Sequence, residues 1–258
     1  MAPNFNLLVV LGPTASGKTR LAVDLAARID GEIISADSRQ VFRGMDIGTG
    51  KDLHEYGQVP YHLIDIMSPG QEFSVFEFQR RFVDAFESIS IHRKIPVLAG
   101  GTGLYLDAAL RGYRLVEVPE DPLLRTELAL LNIDQLQSRL LASRPDLHNT
   151  TDLLDRNRLV RAIEIAEGDA DAEPSPLPPI EPLVFGIRWE RQLLRQRITK
   201  RLRQRIDGGM IEEVDRLHSH GTSWESLEFY GLEYRFVAKH LQGAMSRNDM
   251  FQKLNSAI

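Results

Sequence analysis

Short apolar runs alternate with longer amphipathic segments over the first 112 residues of the chain. The run at 7–11 reads LLVVL and ends in a Gly-Pro turn, which is typical of a short buried strand. The segment 18–29 instead places Leu21, Ala22 and Leu25 on one face, as an amphipathic helix does. These two patterns continue and predict strands at 32–35, 62–66 and 95–99 and helices at 74–92 and 103–110. Strands alternating with helices indicate an α/β fold built on a parallel sheet with crossover helices.

The pattern changes after Gly112. Residues 122–167 show helical periodicity only, with a break near Pro145, and the acidic, proline-rich stretch 168–182 is typical of a linker. A further strand is predicted at 183–188, and helices follow from Glu190. We therefore expect three parts, namely the first part of the α/β core at 1–112, a helical insertion domain at 113–180, and the completion of the core with C-terminal helices at 181–258.

Composition and charge narrow the classes of protein. With 43% hydrophobic and 26% charged residues the chain is an ordinary globular protein, and the absence of cysteine excludes a disulfide scaffold and a thiol nucleophile. A net charge of −5 argues against a general nucleic-acid binder, yet residues 191–205 carry seven basic and no acidic side chains, where a polyanion would bind. No apolar stretch is long enough to cross a bilayer, so we expect a cytoplasmic protein without a membrane partner. We also expect a monomer.

A phosphate-binding loop follows the first predicted strand. The sequence GPTASGKT matches the P-loop pattern between a strand and a helix, which is the context the motif requires. Backbone N–H groups and the helix N-terminus can bind a phosphate, Lys18 can neutralise it, and the Thr19 hydroxyl can coordinate Mg²⁺. The predicted diphosphate site comprises Gly12, Pro13, Thr14, Ala15, Ser16, Gly17, Lys18 and Thr19. The core is therefore expected to resemble P-loop NTPases.

The usual Walker-B carboxylate is missing, because the predicted strand at 95–99 runs into Gly100 rather than an aspartate. Asp65 is the candidate substitute. A nucleotide-hydrolysing motor is disfavoured.

Two more polar residues follow predicted strands. Asp37 comes after the strand at 32–35 and Thr102 after the strand at 95–99, and ligands of open α/β sheets bind at such strand ends. Asp37 could act as a general base or a metal ligand, whereas a turn or helix-cap role is the alternative. Thr102 could bind a ligand or simply belong to a glycine-rich turn.

Six segments together resemble the tRNA dimethylallyltransferases, also called tRNA isopentenyltransferases, of bacterial type. They are GPTASGKT (12–19), ISADSRQVFRGMDIGTGK (34–51), HLIDI (62–66), AGGTGLYL (99–106), DRNRLVRAIE (155–164) and RIDGGMIEEV (205–214). They occur in the family's order and cover most of the chain.

The resemblance implies a prenyl transfer from dimethylallyl diphosphate to N6 of an adenine next to the anticodon of tRNA. The diphosphate would occupy the P-loop with Lys18, Thr19, Mg²⁺ and Arg201, while Asp37 takes the N6 proton and Thr102 positions the amine. The positions that match the family's contacts with the tRNA anticodon stem-loop are Asp37, Ser38, Arg39, Gln40, Thr102, Arg125, Arg158 and Arg161. The insertion domain resembles the part of the family that holds tRNA.

Several alternatives stay open. The insert arginines could instead pair with Asp155 and Glu164 on the same helices. The acceptor could be free adenylate rather than tRNA, and a P-loop small-molecule kinase or a non-enzymatic nucleic-acid-binding module are more distant readings.

The family resemblance also implies a basic, Trp-containing segment after residue 258, which would matter more for tRNA affinity than for the chemistry. The segment GLEYR at 231–235 varies from the family's usual pattern there, and the sequence has no zinc finger of the eukaryotic kind.

Overall fold

The computed structural model describes residues 4–113, 115, 118–143, 155–168 and 177–258. The chain divides into a core unit, Met1–Tyr113 with Pro178–Ile258, and an insert unit, Arg114–Leu177. Among the described residues, no helix combines the length and apolar character needed to span a membrane.

A parallel five-stranded sheet forms the centre of the core unit, so the predicted α/β fold is confirmed. The strand order is β3-β2-β4-β1-β5. The strands are β1 (Leu7–Leu11), β2 (Gly31–Ala36), β3 (Tyr61–His62), β4 (Ile95–Gly100) and β5 (Pro182–Gly186). Since β2, β4 and β1 are adjacent and parallel, their carboxyl ends all meet at one edge of the sheet.

Helices cover both faces of the sheet. Helix α1 (Lys18–Ile29) buries Ala22 and Ala26 on one face, and helices α2 (Val75–Ile91) and α3 (Gly103–Leu110) bury Phe78, Phe82 and Tyr105 on the other. Because both faces are covered, the inner strands are nearly continuous apolar runs, as in other parallel sheets. Ser74 caps the N-terminus of α2, since its hydroxyl accepts a hydrogen bond from the N–H of Glu77 at 3.1 Å.

The third strand is shorter than predicted. Only Tyr61 and His62 pair with β2, whereas a strand was expected over 62–66. Leu63 and Asp65 have φ angles of 64° and 56°, which no strand accommodates. The prediction was wrong because an apolar run does not reveal left-handed backbone. The final strand also ends earlier than the predicted 183–188.

A helical subdomain completes the core unit. Its helices are α7 (Arg191–Asp207), α8 (Met210–Ser219), α9 (Trp224–Phe229), α10 (Leu232–Leu241) and α11 (Arg247–Ala257). They enclose buried Val214, Leu227 and Met250 and pack on Val41 and Phe42, which follow β2 in sequence. The helices are interrupted at Gly209 and Gly221, each with φ of 101°, a left-handed conformation that suits glycine. This packing places α7 beside the carboxyl edge of the sheet.

The insert unit contains three described helices, α4 (Pro122–Ala129), α5 (Ile133–Ser143) and α6 (Arg156–Gly168). Their shared core consists of Leu128, Leu136, Leu140, Leu159 and Ile163. The predicted break near Pro145 and most of the predicted linker at 168–182 lie outside the described residues.

Candidate active site

The phosphate-binding loop connects β1 to α1. Gly17 begins the helix with a φ of 88°, a left-handed conformation that suits glycine, and the Lys18 ammonium lies 3.5 Å from the Pro13 carbonyl oxygen. A Cβ on Gly12 would lie 2.9 Å from the Ser16 hydroxyl oxygen and 3.2 Å from the Ile187 Cβ, so glycine permits the close turn there. The loop therefore has the backbone shape of a phosphate site at the N-terminus of a helix.

Lys18 lies in a partly buried, charged environment. Burial lowers the pKa of Lys18, while the Asp37 carboxylate opposes that shift and the Arg201 and Arg205 guanidinium groups add to it. The lysine therefore interacts with Asp37 and with two arginines of α7.

Asp37 directly follows β2 and faces the same region. The N–H of Arg39 donates to its Oδ1 at 2.9 Å, which fixes the carboxylate in an Asx turn. Asp37 lines a cavity of about 150 Å³ together with Thr14 of the phosphate loop and Arg201. Two wider surface grooves, of about 540 and 500 Å³, run along α7 and toward α11, and none of these three residues lines them. The smaller cavity is therefore the candidate active site.

Thr102 connects β4 to the segment that carries Asp37. Its hydroxyl accepts a hydrogen bond from the N–H of Ser38 at 3.1 Å, and its own N–H donates to the Ala36 carbonyl at 3.2 Å. A Cβ on Gly100 would lie 2.2 Å from that same carbonyl oxygen, so only glycine permits this approach. Thr102 thus holds the backbone on both sides of Asp37.

Helix α7 presents arginines to the phosphate loop. Arg197 donates from Nε to the Ala15 carbonyl at 2.8 Å and stacks on Trp189, with 4.4 Å from its guanidinium carbon to the ring centroid. Arg201 donates to the Thr14 hydroxyl. Burial lowers the pKa of Arg201 to about 10, which still leaves it positively charged at neutral pH. Arg197, Arg201 and Arg205 lie four residues apart on one face of α7, which is directed at this region of the core unit.

Gln40 is buried rather than presented to solvent. Its amide oxygen accepts from the Ser35 hydroxyl at 3.0 Å, and its amide nitrogen donates to the Gly50 carbonyl at 3.2 Å. In this structure Gln40 therefore supports the loop at 42–51, and its predicted contact with RNA stays a prediction. Arg39 lies over the ring of Phe229, 5.2 Å from its centroid, at the rim of the cavity.

The loop at 42–51 depends on two buried charges, those of Lys51 and Glu213, which no sequence motif singles out. Lys51 is fully buried and donates to the Phe42 carbonyl at 2.7 Å, to Asp46 at 2.7 Å, and to Asp65. Asp65 is therefore a partner of Lys51 and does not line the cavity with Asp37, and its role as a Walker-B substitute stays a prediction.

Glu213 of α8 holds the same loop from the other side. Its carboxylate accepts the N–H groups of residues 46, 47 and 48 at 2.9, 2.7 and 3.0 Å, and the Tyr234 hydroxyl at 2.7 Å. The signal was present in the sequence, because Glu213 shares a helix face with Met210, Val214 and Leu217, all buried. A charge on an apolar face needs a partner, here a row of backbone amides.

The residues near the phosphate loop suit a Mg²⁺ ion held mainly by a ligand's phosphates. The described residues contain no cluster of three carboxylate, imidazole or thiol side chains that could bind a metal alone. Thr19 offers a hydroxyl in the first turn of α1, and the buried Ser16 hydroxyl has no hydrogen-bond partner. Mg²⁺ commonly takes one or two protein oxygens, substrate phosphates and water, so this donor set fits.

In the insert unit, two predicted RNA-binding arginines have protein partners. Arg125 pairs with Glu164 at 2.6 Å and Glu120 at 2.7 Å, and Arg161 pairs with Glu164 at 3.1 Å. The pairing alternative with Glu164 is thus confirmed for both, although each side chain stays more than one third exposed. Asp155 instead accepts the N–H groups of Asn157 and Arg158 at the start of α6. The Arg158 side chain is exposed.

Comparison with known proteins gives a consistent result. The family model described as IPP transferase matches residues 40–258, and one described as isopentenyl transferase matches residues 5–58. The chain is 66% identical to tRNA dimethylallyltransferase 1 of Geotalea daltonii over 98% of its own length and 83% of that protein.

Solved structures agree. The tRNA isopentenylpyrophosphate transferase of Bacillus halodurans superposes with a TM-score of 0.71 at 32% identity, covering 98% of this chain and 82% of that one. A eukaryotic dimethylallyltransferase acting on tRNA shares the fold, with a TM-score of 0.80 at 21% identity over 97% of this chain and 66% of that one. The chain therefore belongs to the IPP transferase family, together with the bacterial tRNA dimethylallyltransferases.

Proposed function

We propose that this protein transfers a dimethylallyl group from dimethylallyl diphosphate to N6 of an adenine next to the anticodon of tRNA. One observation carries the chemistry, namely that Asp37 and Thr14 of the phosphate loop line the same cavity. The diphosphate leaving group of the donor and the Asp37 base that acts on the acceptor can therefore meet in one cavity. Action on tRNA also implies a cytoplasmic location.

The phosphate loop would bind the diphosphate of the donor. Its backbone N–H groups, Lys18 and Arg201 would neutralise the charge that develops as the carbon–oxygen bond of the donor breaks. When bound, Mg²⁺ held by Thr19 would supply further positive charge to the phosphate oxygens. The diphosphate leaves with the electron pair of the broken bond.

Asp37 would act as the base. The N6 nitrogen attacks C1 of the dimethylallyl group, and its proton passes to the Asp37 carboxylate, so the product amine is neutral. An exocyclic amine conjugated with a purine ring is a weak nucleophile, which is why a positioned base is useful. Thr102 would act by holding the Asp37 segment, since its hydroxyl already binds the N–H of Ser38.

An adenine in tRNA must leave its stack before its amine can reach such a cavity. We propose that Ser38, Arg39 and the exposed part of the insert arginines contact the RNA while the base is displaced. The seven basic side chains at 191–205 offer a further surface for phosphates.

Free adenylate is the second candidate acceptor. The match of residues 5–58 to a model described simply as isopentenyl transferase favours prenyl transfer without specifying the acceptor. The insert unit favours tRNA, because it presents exposed Arg158 and the partly exposed Arg125 and Arg161.

The direct test is incubation with labelled dimethylallyl diphosphate and either bulk tRNA or AMP, followed by nucleoside analysis. We expect label on N6 of adenosine from tRNA, and no comparable product from AMP. Labelling of AMP alone would replace the tRNA assignment, and ATP turnover without a prenyl donor would favour the kinase alternative.

A further inference from the structure

Arg205 of α7 is a buried cation with an unused hydrogen-bond donor. Only 9% of its side chain is exposed, and its Nη2 is buried without a hydrogen-bond partner. Its Nη1 makes one long bond, of 3.4 Å, to the Gly48 carbonyl, and the nearest carboxylate, that of Asp52, lies 4.0 Å away. An unsatisfied donor on a buried charge is costly, so it calls for an acceptor.

The cavity that contains Asp37 is the place where an acceptor could bind. Arg205 lines it one helical turn from Arg201, and Arg201 reaches Thr14 of the phosphate loop. The surrounding backbone is shaped around the guanidinium, because a Cβ on Gly50 would lie 1.5 Å from Nη2. The position of Arg205 is therefore built into the fold.

The charges around the cavity point to an anion. Arg201 and Arg205 both line the cavity, and both add to the lowering of the pKa of Lys18 that burial causes, so the three cations interact electrostatically. Like charges held together cost free energy in the empty site, and an anion among them removes that cost. A diphosphate carries more negative charge than one lysine can neutralise.

We propose that Arg205 forms a second guanidinium subsite for the donor diphosphate, beside Arg201 and opposite the phosphate loop. Neither the P-loop pattern nor the family resemblance assigns this residue. The inference rests on the proposed function, since it takes the diphosphate donor as the ligand. A phosphate of the acceptor nucleotide has the same chemistry, and the test separates the two.

The test measures inorganic pyrophosphate binding by calorimetry and by thermal shift for the parent protein, Arg205→Met and Arg205→Lys. Arg216→Met is the matched control, because it removes one exposed arginine from the neighbouring helix α8. We expect Arg205→Met to weaken pyrophosphate binding roughly ten-fold to a hundred-fold, Arg205→Lys to recover part of it, and the control to match the parent.

Ligand-free stability gives a second readout. Since Arg205→Met removes a buried donor that has no partner, its melting temperature without pyrophosphate should equal or exceed the parent's, while the rise with pyrophosphate shrinks. Unchanged pyrophosphate affinity would overturn the inference, as would a lower ligand-free melting temperature with the pyrophosphate-induced rise retained. Weaker binding of AMP or tRNA with pyrophosphate affinity unchanged would also overturn it, in favour of an acceptor phosphate. A parent protein that fails to bind pyrophosphate would remove the donor site itself, and with it the proposed function.

Discussion

Some side chains beside the cavity act through the backbone that they hold. Thr102 shows this, because its hydroxyl accepts the N–H of Ser38 and leaves Asp37 between two fixed neighbours. The sequence predicts Asp37 and Thr102 as a pair from their places after two strands. It does not predict the hydrogen bond to Ser38, because the contact spans 64 positions in the chain.

Thr102→Val tests this holding role. Valine keeps the shape but leaves the Ser38 N–H without its acceptor, at a cost of about 1–3 kcal/mol in the ordering of the Asp37 segment. We expect kcat to fall roughly ten-fold with little change in the KM for dimethylallyl diphosphate, measured by steady-state kinetics. Thr102→Ser, which keeps the hydroxyl, is the control. Equal loss in both variants would contradict a role for the hydrogen bond.

At the scale of elements, the loop at 42–51 contributes Gly48 and Thr49 to one wall of the cavity, and helix α8 holds that loop from behind. Glu213 accepts three consecutive backbone N–H groups of that loop, so the helix and the loop are ordered together. The helical spacing of apolar residues predicts α8, because its buried residues recur on one face of the helix. It does not predict the loop, whose course depends on the buried ions Lys51 and Glu213.

Glu213→Gln tests that wall. A glutamine amide in the same place turns an NH₂ group toward backbone donors, and hydrogen bonds to a charged acceptor are lost, so we expect destabilisation by about 1.5–3 kcal/mol. Urea unfolding measures the change. Glu212→Gln is the matched control, because its side chain is the exposed neighbour on the same helix. Equal stability of the two variants would show that the carboxylate does not hold the loop.

In the insert unit, Glu164 is a buried carboxylate that accepts several hydrogen bonds, as Glu213 does in the core unit. Burial would raise the pKa of this carboxyl, but hydrogen bonds from Arg125, the Asp121 N–H and Arg161 outweigh it and hold the pKa below its ordinary value of 4.5. A lowered native pKa stabilises the fold above pH 4.5, and that stability is lost as the pH falls through the native value.

Hydrogen exchange of peptides from α4 and α6 reports that stability directly. We expect protection in the parent to decrease as the pH is lowered below about 4.5, once the intrinsic pH dependence of exchange is subtracted. Glu164→Gln should lose protection at neutral pH and show no such decrease. A parent profile identical to that of the variant would contradict the role of Glu164.

For the whole molecule, charge and division into units decide how RNA would bind. The chain is acidic overall, so tRNA contacts must come from local basic surfaces such as exposed Arg158 on α6. The family segments in the sequence indicate the protein's class and its phosphate loop correctly, because those segments are local in the chain. The pairing of Arg125 with Glu164 could not be told from an RNA contact, since the same side chain can serve both.

The salt dependence of tRNA affinity tests this view. Phosphate contacts release counterions, so the logarithm of affinity should fall linearly with the logarithm of salt concentration. Arg158→Gln should weaken binding and reduce the slope by about 1. Pyrophosphate affinity serves as the control and should not change. A tRNA affinity that is flat with ionic strength would count against phosphate contacts.

The most direct measurement of the proposed chemistry is the single-turnover rate of Asp37→Ala with saturating dimethylallyl diphosphate and tRNA. General-base assistance is commonly worth about 10²–10⁴-fold, so the rate should fall by at least about 10²-fold while tRNA and pyrophosphate still bind. A rate within about threefold of the parent, a range too small for loss of a general base, would contradict the assignment of Asp37 as the base.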